Sequence, residues 1–190
     1  MTIISILAAL LLPALSNAKK KAQAIQCLNN VRQIGLASIA YCQDNSDHLP
    51  FAWWDNPDPK ENSFYALLTP QIYRSDFDGF GDYSLPLYTC PTRAQEPLIG
   101  ANPMRISYGM NAYNSINFPD PQTRRFTQAI QSSSTLLLSD IAREYNHPPI
   151  DTLAADHIGY KHFSRGNVLF FDGHSSAITL KQTNNVVLNF

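Results

Sequence analysis

The chain has 190 residues, a length that fits one domain with an added helix and not two domains. Apolar residues make up 44% and aromatic residues 11% of the sequence, which suffices for a hydrophobic core and argues against wholesale disorder. The formal net charge of −1 gives no reason to expect a nucleic-acid partner.

The N-terminal segment is predicted to be one long helix over residues 1–45. Residues 2–15 are uncharged and largely apolar, and they continue without a turn signal into a polar, helix-favouring stretch that reaches Tyr41. The second part has one apolar face at helical spacing, made of Leu28, Val31, Gly35, Ile39 and Cys42. Turn-forming side chains at residues 44–47 then end the helix.

The apolar run is expected to be too short to cross a membrane alone, since about 20 residues are needed to span a bilayer core. No basic residues precede it, so an ordinary secretory signal is not indicated. Pro13 is expected to kink the helix or to cost it one hydrogen bond. Lys19, Lys20 and Lys21 mark the change to polar surface. The alternative interpretation is a buried N-terminal core helix.

Three cysteines, Cys27, Cys42 and Cys90, allow at most one internal disulfide. Cys27 and Cys42 lie roughly 22 Å apart along one helix, too far to bond to each other. Either of them can pair with Cys90 in an oxidising compartment. Three small buried thiols are the other possibility.

The stretch after the first helix is rich in loop signals and holds one candidate cation site. Trp53 and Trp54 are expected to pack over the helix, the alternative being a subunit contact. A short helix is predicted over residues 63–68, capped by Ser63 and ended before Pro70. Three nearby aspartates lie on a glycine-bent segment and are a weak calcium candidate: Asp76, Asp78 and Asp82. The alternative there is a solvated acidic turn.

The second half of the chain is predicted to be β. Strands are expected over residues 107–113, 135–141, 166–171 and 174–180, the last two forming a C-terminal hairpin over 166–180. Asp172 and Gly173 predict a two-residue type I′ turn, because Asp-Gly accepts positive φ at both positions. His162 precedes the hairpin, and we expect its ring to hold the start of the hairpin in place.

Catalysis and metal binding are not expected. His157, His162, Asp172 and His174 carry suitable groups, but nothing in their spacing brings three ligands to one point. The sequence also lacks a nucleophile motif of the Ser-His-Asp or Cys-His kind. We therefore predict no catalytic residues and no cofactor, with calcium as the only candidate ion.

Several short motifs in order resemble the type IV pilin-like and type II secretion pseudopilin family. Residues 4–19 are similar to its N-terminal helix, especially to the group abundant in planctomycetes and verrucomicrobia. His162, followed by nine residues and then Asp172 and Gly173, matches the C-terminal signature of that group. Further similar segments are residues 90–91, 107–111 and 136–140.

The resemblance implies an α+β fold, in which a long N-terminal helix packs on a small antiparallel sheet domain over residues 46–190. It also implies anchoring in the inner membrane by a single pass, with the domain in the periplasm or at the cell surface. Family members begin with a basic leader, a processing Gly and a Phe-Thr-Leu-Ile-Glu stretch. Met1 falls inside the corresponding helix here, so we expect a start codon assigned too late or a truncated chain.

The leading functional hypothesis is a structural subunit of a pseudopilus or pilus-like filament. Its partners would be copies of itself, other pilin-like subunits, the membrane and the secretion or pilus assembly machinery. The alternative is a membrane-tethered domain that binds an external ligand such as a polysaccharide through loops at 46–70 and 111–127. A soluble enzyme is the third and least favoured class.

Overall fold

The computed structural model describes residues 2–50, 64–73, 85–92, 107–111, 125–129, 131–141 and 158–186. Within these ranges the chain forms two helices, α1 (Thr2–Asp44) and α2 (Phe64–Tyr73). Four strands follow, namely β1 (Tyr108–Met110), β2 (Leu136–Asp140), β3 (Arg165–Phe170) and β4 (Ser175–Thr179). Short 3₁₀ helices occupy Phe126–Gln128 and Leu180–Asn185. The predicted α+β class is confirmed, while the division of the chain at residue 45 stays a prediction.

The sheet is a four-stranded antiparallel meander with the order β1-β2-β3-β4. All four predicted strands are present, although β1 is shorter than expected and residues 112–113 lie outside the described ranges. A bulge between Leu136 and Leu138 shifts the register of β2 against β3. The bulge places Leu137 and Leu138 together on the α1 side of the sheet, whereas Leu136 faces the other side.

α1 is one continuous helix of 43 residues that runs through Pro13. Its C-terminal half packs on the sheet, and the buried residues on this face include Cys27, Val31, Ile34 and Cys42. They meet one face of β2 and β3, which forms the main core together with α2. Alternate residues of β3 face away from α1, and Val168 and Phe170 there join a second, smaller core.

α2 is longer than the sequence predicts, because it continues through Pro70 to Tyr73. A proline inside a helix costs about 3 kcal/mol, so the prediction ended the helix before it. Burial of Phe64, Tyr65 and Leu68 against the main core offsets that cost. The proposed cap, Ser63, lies outside the described residues.

α1 lies close against the sheet at Gly35. A Cβ atom at this position would lie 2.0 Å from Cδ2 of Leu169 on β3. Only the absence of a side chain lets α1 lie this close to the sheet. The predicted apolar face of α1 therefore docks on the domain, and its glycine allows a close approach to β3.

Candidate functional site

The first half of α1 leaves a long apolar surface uncovered. Its large side chains are each more than half exposed; they are Ile3, Ile4, Ile6, Leu7, Leu10, Leu11, Leu12 and Leu15. A soluble domain buries such a surface, and monomeric proteins rarely expose an apolar patch of this size. The alternative of a buried N-terminal core helix is therefore wrong for the chain as it is described.

α1 is also long and apolar enough to cross a membrane. The expectation that the segment is too short rested on the apolar run alone, which stops at Leu15. Ser16, Asn17 and Ala18 extend the uncharged stretch to Lys19, and about 17 residues is the lower end of the spanning range. The three lysines then lie exposed between this stretch and the part of the helix that packs on the sheet.

A disulfide joins α1 to the segment at 85–92. Cys27 bonds to Cys90, with their Cα atoms 5.3 Å apart. Cys42, the other candidate partner, is a buried free thiol. Buried Asn30, one turn further along α1, donates from its side-chain amide to the Tyr108 hydroxyl and to the Pro86 carbonyl. The disulfide and these hydrogen bonds fix the middle of α1 to the domain.

His162 is buried against this disulfide. Its Nε2 atom lies 3.3 Å from Sγ of Cys90 and 4.0 Å from Oδ2 of Asp140 at the end of β2. Its backbone pairs with Arg165 at the start of β3 through two hydrogen bonds. The residue thus lies where the sequence placed it, beside the first hairpin strand, and its ring contacts the disulfide. That it stabilises the hairpin stays a prediction.

Burial controls the charges of this cluster. Burial raises the pKa of Asp140 to about 7, against the opposing effects of the Asn167 backbone N–H, which donates to Oδ2 over 2.8 Å, and of Lys161. Burial and the nearby Lys161 charge lower the pKa of His162. The imidazole is therefore neutral near pH 7, and Asp140 takes up a proton as the pH falls below that value.

Cys27, Cys90 and His162 are residue types that bind metals, but the two cysteines have no free thiolate to offer. Ligand atoms of Cys27, Cys90 and His162 all lie within 4.8 Å of one another. However, both sulfurs are bonded to each other, and zinc binds thiolates, not a disulfide. This leaves one imidazole and one buried carboxylate, fewer than the three protein ligands of a catalytic zinc site. The arrangement as it stands is structural.

Asp172 and Gly173 lie in the turn between β3 and β4, as predicted, but the predicted turn type is wrong. Gly173 alone has positive φ, 85°, whereas a type I′ turn requires it at both central residues. The Gly173 N–H donates to the Phe170 carbonyl, and Phe170 pairs with His174. The result is a three-residue loop closed by a glycine in the left-handed conformation.

Asp172 stabilises this turn through His174. One oxygen of the carboxylate, Oδ1, accepts from the His174 backbone N–H at 3.0 Å and lies 2.5 Å from Nδ1 of its ring. Burial slightly opposes ionisation, but these hydrogen bonds outweigh it and lower the pKa of Asp172. The turn and His162 lie at opposite ends of β3. The two parts of the C-terminal signature therefore do not form one site.

The remaining candidates lie outside the described residues. These are the calcium candidates Asp76, Asp78 and Asp82, together with His157, Trp53 and Trp54. The sequence patterns, in contrast, did not single out Asp140, which falls within the predicted strand over residues 135–141. A carboxylate two residues after the apolar run Leu136–Leu138 was the available signal, because a charged side chain there needs partners.

Comparison with known proteins finds a family match for part of the chain. Residues 16–78 match the family model SBP_bac_10, described as a protein of unknown function (DUF1559), which is typical of planctomycete pilin-like proteins. Neither the curated proteins nor the solved structures give a significant match. About a third of the chain, from the end of the uncharged stretch through α2, is thus similar to this family.

Proposed function

We propose that the protein is a structural subunit of a pseudopilus or pilus-like filament. One observation carries the proposal: α1 is one helix with an uncovered apolar half and a half that is fastened to a sheet domain. In a membrane the uncovered half is solvated by lipid, and in a filament it packs against the same half of neighbouring copies. A helix built this way serves as an anchor first and as an assembly surface afterwards.

The disulfide supports a location outside the cytoplasm. Disulfides persist in the periplasm and at the cell surface, whereas cytosolic thiols are kept reduced. Cys27–Cys90 is buried and joins elements 63 residues apart, as a structural bridge does. We place the domain in the periplasm or at the cell surface, with α1 crossing the inner membrane once.

The proposed partners follow from the same surface. They are other copies of this chain, further pilin-like subunits and the membrane machinery that assembles them. The family match is consistent with a pilin-like secreted protein. We propose no enzymatic activity and no cofactor for this role, since the chain supplies an anchor and contacts.

Disulfide crosslinking between copies tests the proposal. Leu10, Leu11 and Leu12 are replaced singly by cysteine in a Cys42→Ala background, since consecutive helix positions point about 100° apart and sample all faces. In membranes of cells that also contain an assembly machinery, an oxidant should give crosslinked dimers and higher species for at least one position. His174→Cys, at the exposed hairpin turn, is the control for random collision.

Monomers at all three positions would contradict the filament role. If such a chain also bound a polysaccharide, the tethered binding domain would become the preferred function in place of the filament subunit. If the chain remained in the supernatant after membranes were removed, both membrane roles would fail.

A further inference from the structure

Two exposed apolar side chains lie together at one end of the sheet. Arg165, the first residue of β3, pairs with Thr179, the last residue of β4. Just beyond this pair, Phe163 is 56% and Leu180 is 61% exposed. Among the described residues outside α1, only Tyr73, at 36%, is another exposed large hydrophobic side chain. We use the name proximal edge for the surface formed by Lys161, Phe163, Arg165, Leu180 and Lys181.

The backbone holds Phe163 outward at a cost. Phe163 has φ of 53° and Ser164 has φ of 61°, a left-handed conformation that disfavours residues with a Cβ atom. The preceding residue, His162, is buried, so the turn inserts the histidine and leaves the phenylalanine in solvent. A two-residue turn between the paired residues His162 and Arg165 requires positive φ at both positions, and glycine or asparagine would meet that requirement at lower cost. A phenylalanine kept exposed at such a turn points to a contact outside the domain.

The proximal edge lies next to the end of the apolar run. A cleft of about 430 Å³ is lined by Asn17 and Lys20 from α1 and by Lys161 and Phe163 from the turn. Asn17 is two residues beyond Leu15, which is about 3 Å along the helix axis. When the apolar run lies in a bilayer, the cleft and Phe163 are therefore at the depth of the lipid headgroups.

The other end of the sheet is far from this level. Phe171 and Asp172, after β3, line a cleft with Ile39 of α1. Ile39 is 24 residues beyond Leu15, or about 36 Å along the helix axis. The sheet therefore has one end near the membrane and one end well away from it.

Positive charge is concentrated at the end near the membrane, although Arg32 and Arg125 lie away from it. Among the described residues, the cations near the membrane are Lys19, Lys20, Lys21, Lys161, Arg165 and Lys181. The described carboxylates outside the core lie at the far end: Asp44 ends α1, Asp47 follows in the next turn, and Asp172 is in the hairpin turn. This distribution is complementary to an anionic membrane surface, where each Lys or Arg close to it adds to binding.

We infer that the proximal edge docks on the anionic phospholipids of the membrane that holds α1. A headgroup phosphate enters the cleft between Lys20 and Lys161, while Phe163 and Leu180 sit at the interface where apolar and polar surroundings meet. The inference rests on the proposed function in one respect, namely that α1 lies in the membrane. Docking holds the domain against the bilayer while the subunit is anchored in the membrane and not yet part of a filament.

Photocrosslinking to lipid tests the docking. The full chain, with p-benzoyl-phenylalanine in place of Phe163, is reconstituted in phosphatidylcholine vesicles with or without phosphatidylglycerol, irradiated and analysed by mass spectrometry. Lipid adducts should form and should increase with phosphatidylglycerol. The matched control carries the same probe in place of Leu36, which is 67% exposed on α1 about 30 Å beyond Leu15 and should give none.

Removal of the two cleft charges should reduce the adducts. Lys20→Gln with Lys161→Gln should lower the phosphatidylglycerol-dependent yield by about fivefold for each charge, the factor expected near an anionic surface. Arg32→Gln with Arg125→Gln removes the same charge away from the proximal edge and should leave the yield unchanged. Circular dichroism verifies that both double variants fold.

Three results would overturn the docking. The first is an equal adduct yield at positions 163 and 36. The second is a yield at position 163 that does not change with the phosphatidylglycerol content. The third is the loss of adducts when inorganic phosphate is added at constant ionic strength. The last result would assign the cleft to free phosphate. Flotation separates this failure from failure of the anchor: a chain that floats with both vesicles but forms no adduct refutes only the docking, and a chain that does not float refutes the anchor.

Discussion

Asp140 is a buried carboxyl group whose protonation is coupled to folding. Its carboxylate is buried at the end of β2, where Oδ2 accepts from the Asn167 backbone and Oδ1 has no hydrogen-bond partner among the described protein atoms. A buried charge with one unpaired oxygen is costly, and protonation removes that cost. Burial accordingly raises its pKa to about 7.

We predict that Asp140→Asn flattens the dependence of stability on pH. The native pKa lies above the unfolded value of about 4, so the native state binds the extra proton between the two values and becomes less stable as pH rises through that window. The slope attributable to Asp140 is at most about 1.4 kcal/mol per pH unit. Denaturant titrations of both chains from pH 4 to pH 7.5 measure it as the difference between them.

Asp172→Asn is the matched control for this measurement. The pKa of Asp172 is lowered, so its contribution is present at higher pH and is lost as pH falls through the acid range. Its removal should leave the slope between about pH 5 and pH 7 intact. Parallel curves for the wild type and Asp140→Asn would contradict the account of Asp140.

At the residue scale, the sequence predicts where a residue lies along a strand or turn better than which residues its side chain contacts. His162 and the Asp172–Gly173 turn lie where the pattern placed them, because strand periodicity and turn chemistry are local. The contact of His162 with Cys90 joins residues 72 apart, and local patterns carry no information on such a pairing. The turn type was missed for a similar reason. Asp-Gly fits loops of two or three residues, and only the pairing of Phe170 with His174 shows that the loop has three.

At the element scale, the contact between α1 and the sheet depends on Gly35. We predict that Gly35→Ala destabilises the chain by about 1–3 kcal/mol, because the new Cβ overlaps Leu169 and the core must shift. In a Leu169→Ala background the overlap is gone, and the same change should stabilise by about 1 kcal/mol through helix propensity. Equilibrium unfolding of the wild type, the two single variants and the double variant gives the coupling free energy between positions 35 and 169.

Ala at exposed Gln33 is the control for helix propensity, and it should have little effect in either background. A Gly35→Ala change with the same sign and size in both backgrounds would mean that the helix and sheet are not in close contact there.

The disulfide is the second device that joins α1 to the domain. Closing a loop of 63 residues is worth about 4 kcal/mol in the chain-entropy account. We predict that dithiothreitol lowers the denaturation midpoint of the wild type to that of Cys27→Ser with Cys90→Ser, while the double variant itself does not respond. Cys42→Ala should respond as the wild type does, and a lost response in Cys42→Ala would show that Cys42 is the true partner of Cys90.

The sequence left this pairing open for a physical reason. Cys27 and Cys42 share one face of α1, and only the level at which residues 85–92 contact the helix selects between them. A tertiary contact also explains the error at Pro70. The local rule predicts that the helix ends before the proline, but the burial of α2 in the core outweighs that cost and the helix continues. Element type and order were predictable, but the contacts that join elements were not.

At the scale of the whole molecule, α1 has two distinct parts along its length. Its first half is uncovered and apolar, its second half forms part of the core, and the lysines at 19–21 mark the boundary. Composition predicted this division, since an uncharged run followed by amphipathic spacing is a local property of the sequence. The central claim is that a bilayer covers the first half and leaves the second half in water.

The most direct test compares two leucines on the same helix. Leu11 is 66% and Leu36 is 67% exposed in the isolated chain, so only a membrane distinguishes them. Each is replaced by cysteine in a Cys42→Ala background, and the full chain is reconstituted in vesicles and treated with a membrane-impermeant maleimide. The account predicts labelling at position 36, none at position 11, and equal labelling of both once detergent and denaturant are added. Equal labelling in intact vesicles would contradict it.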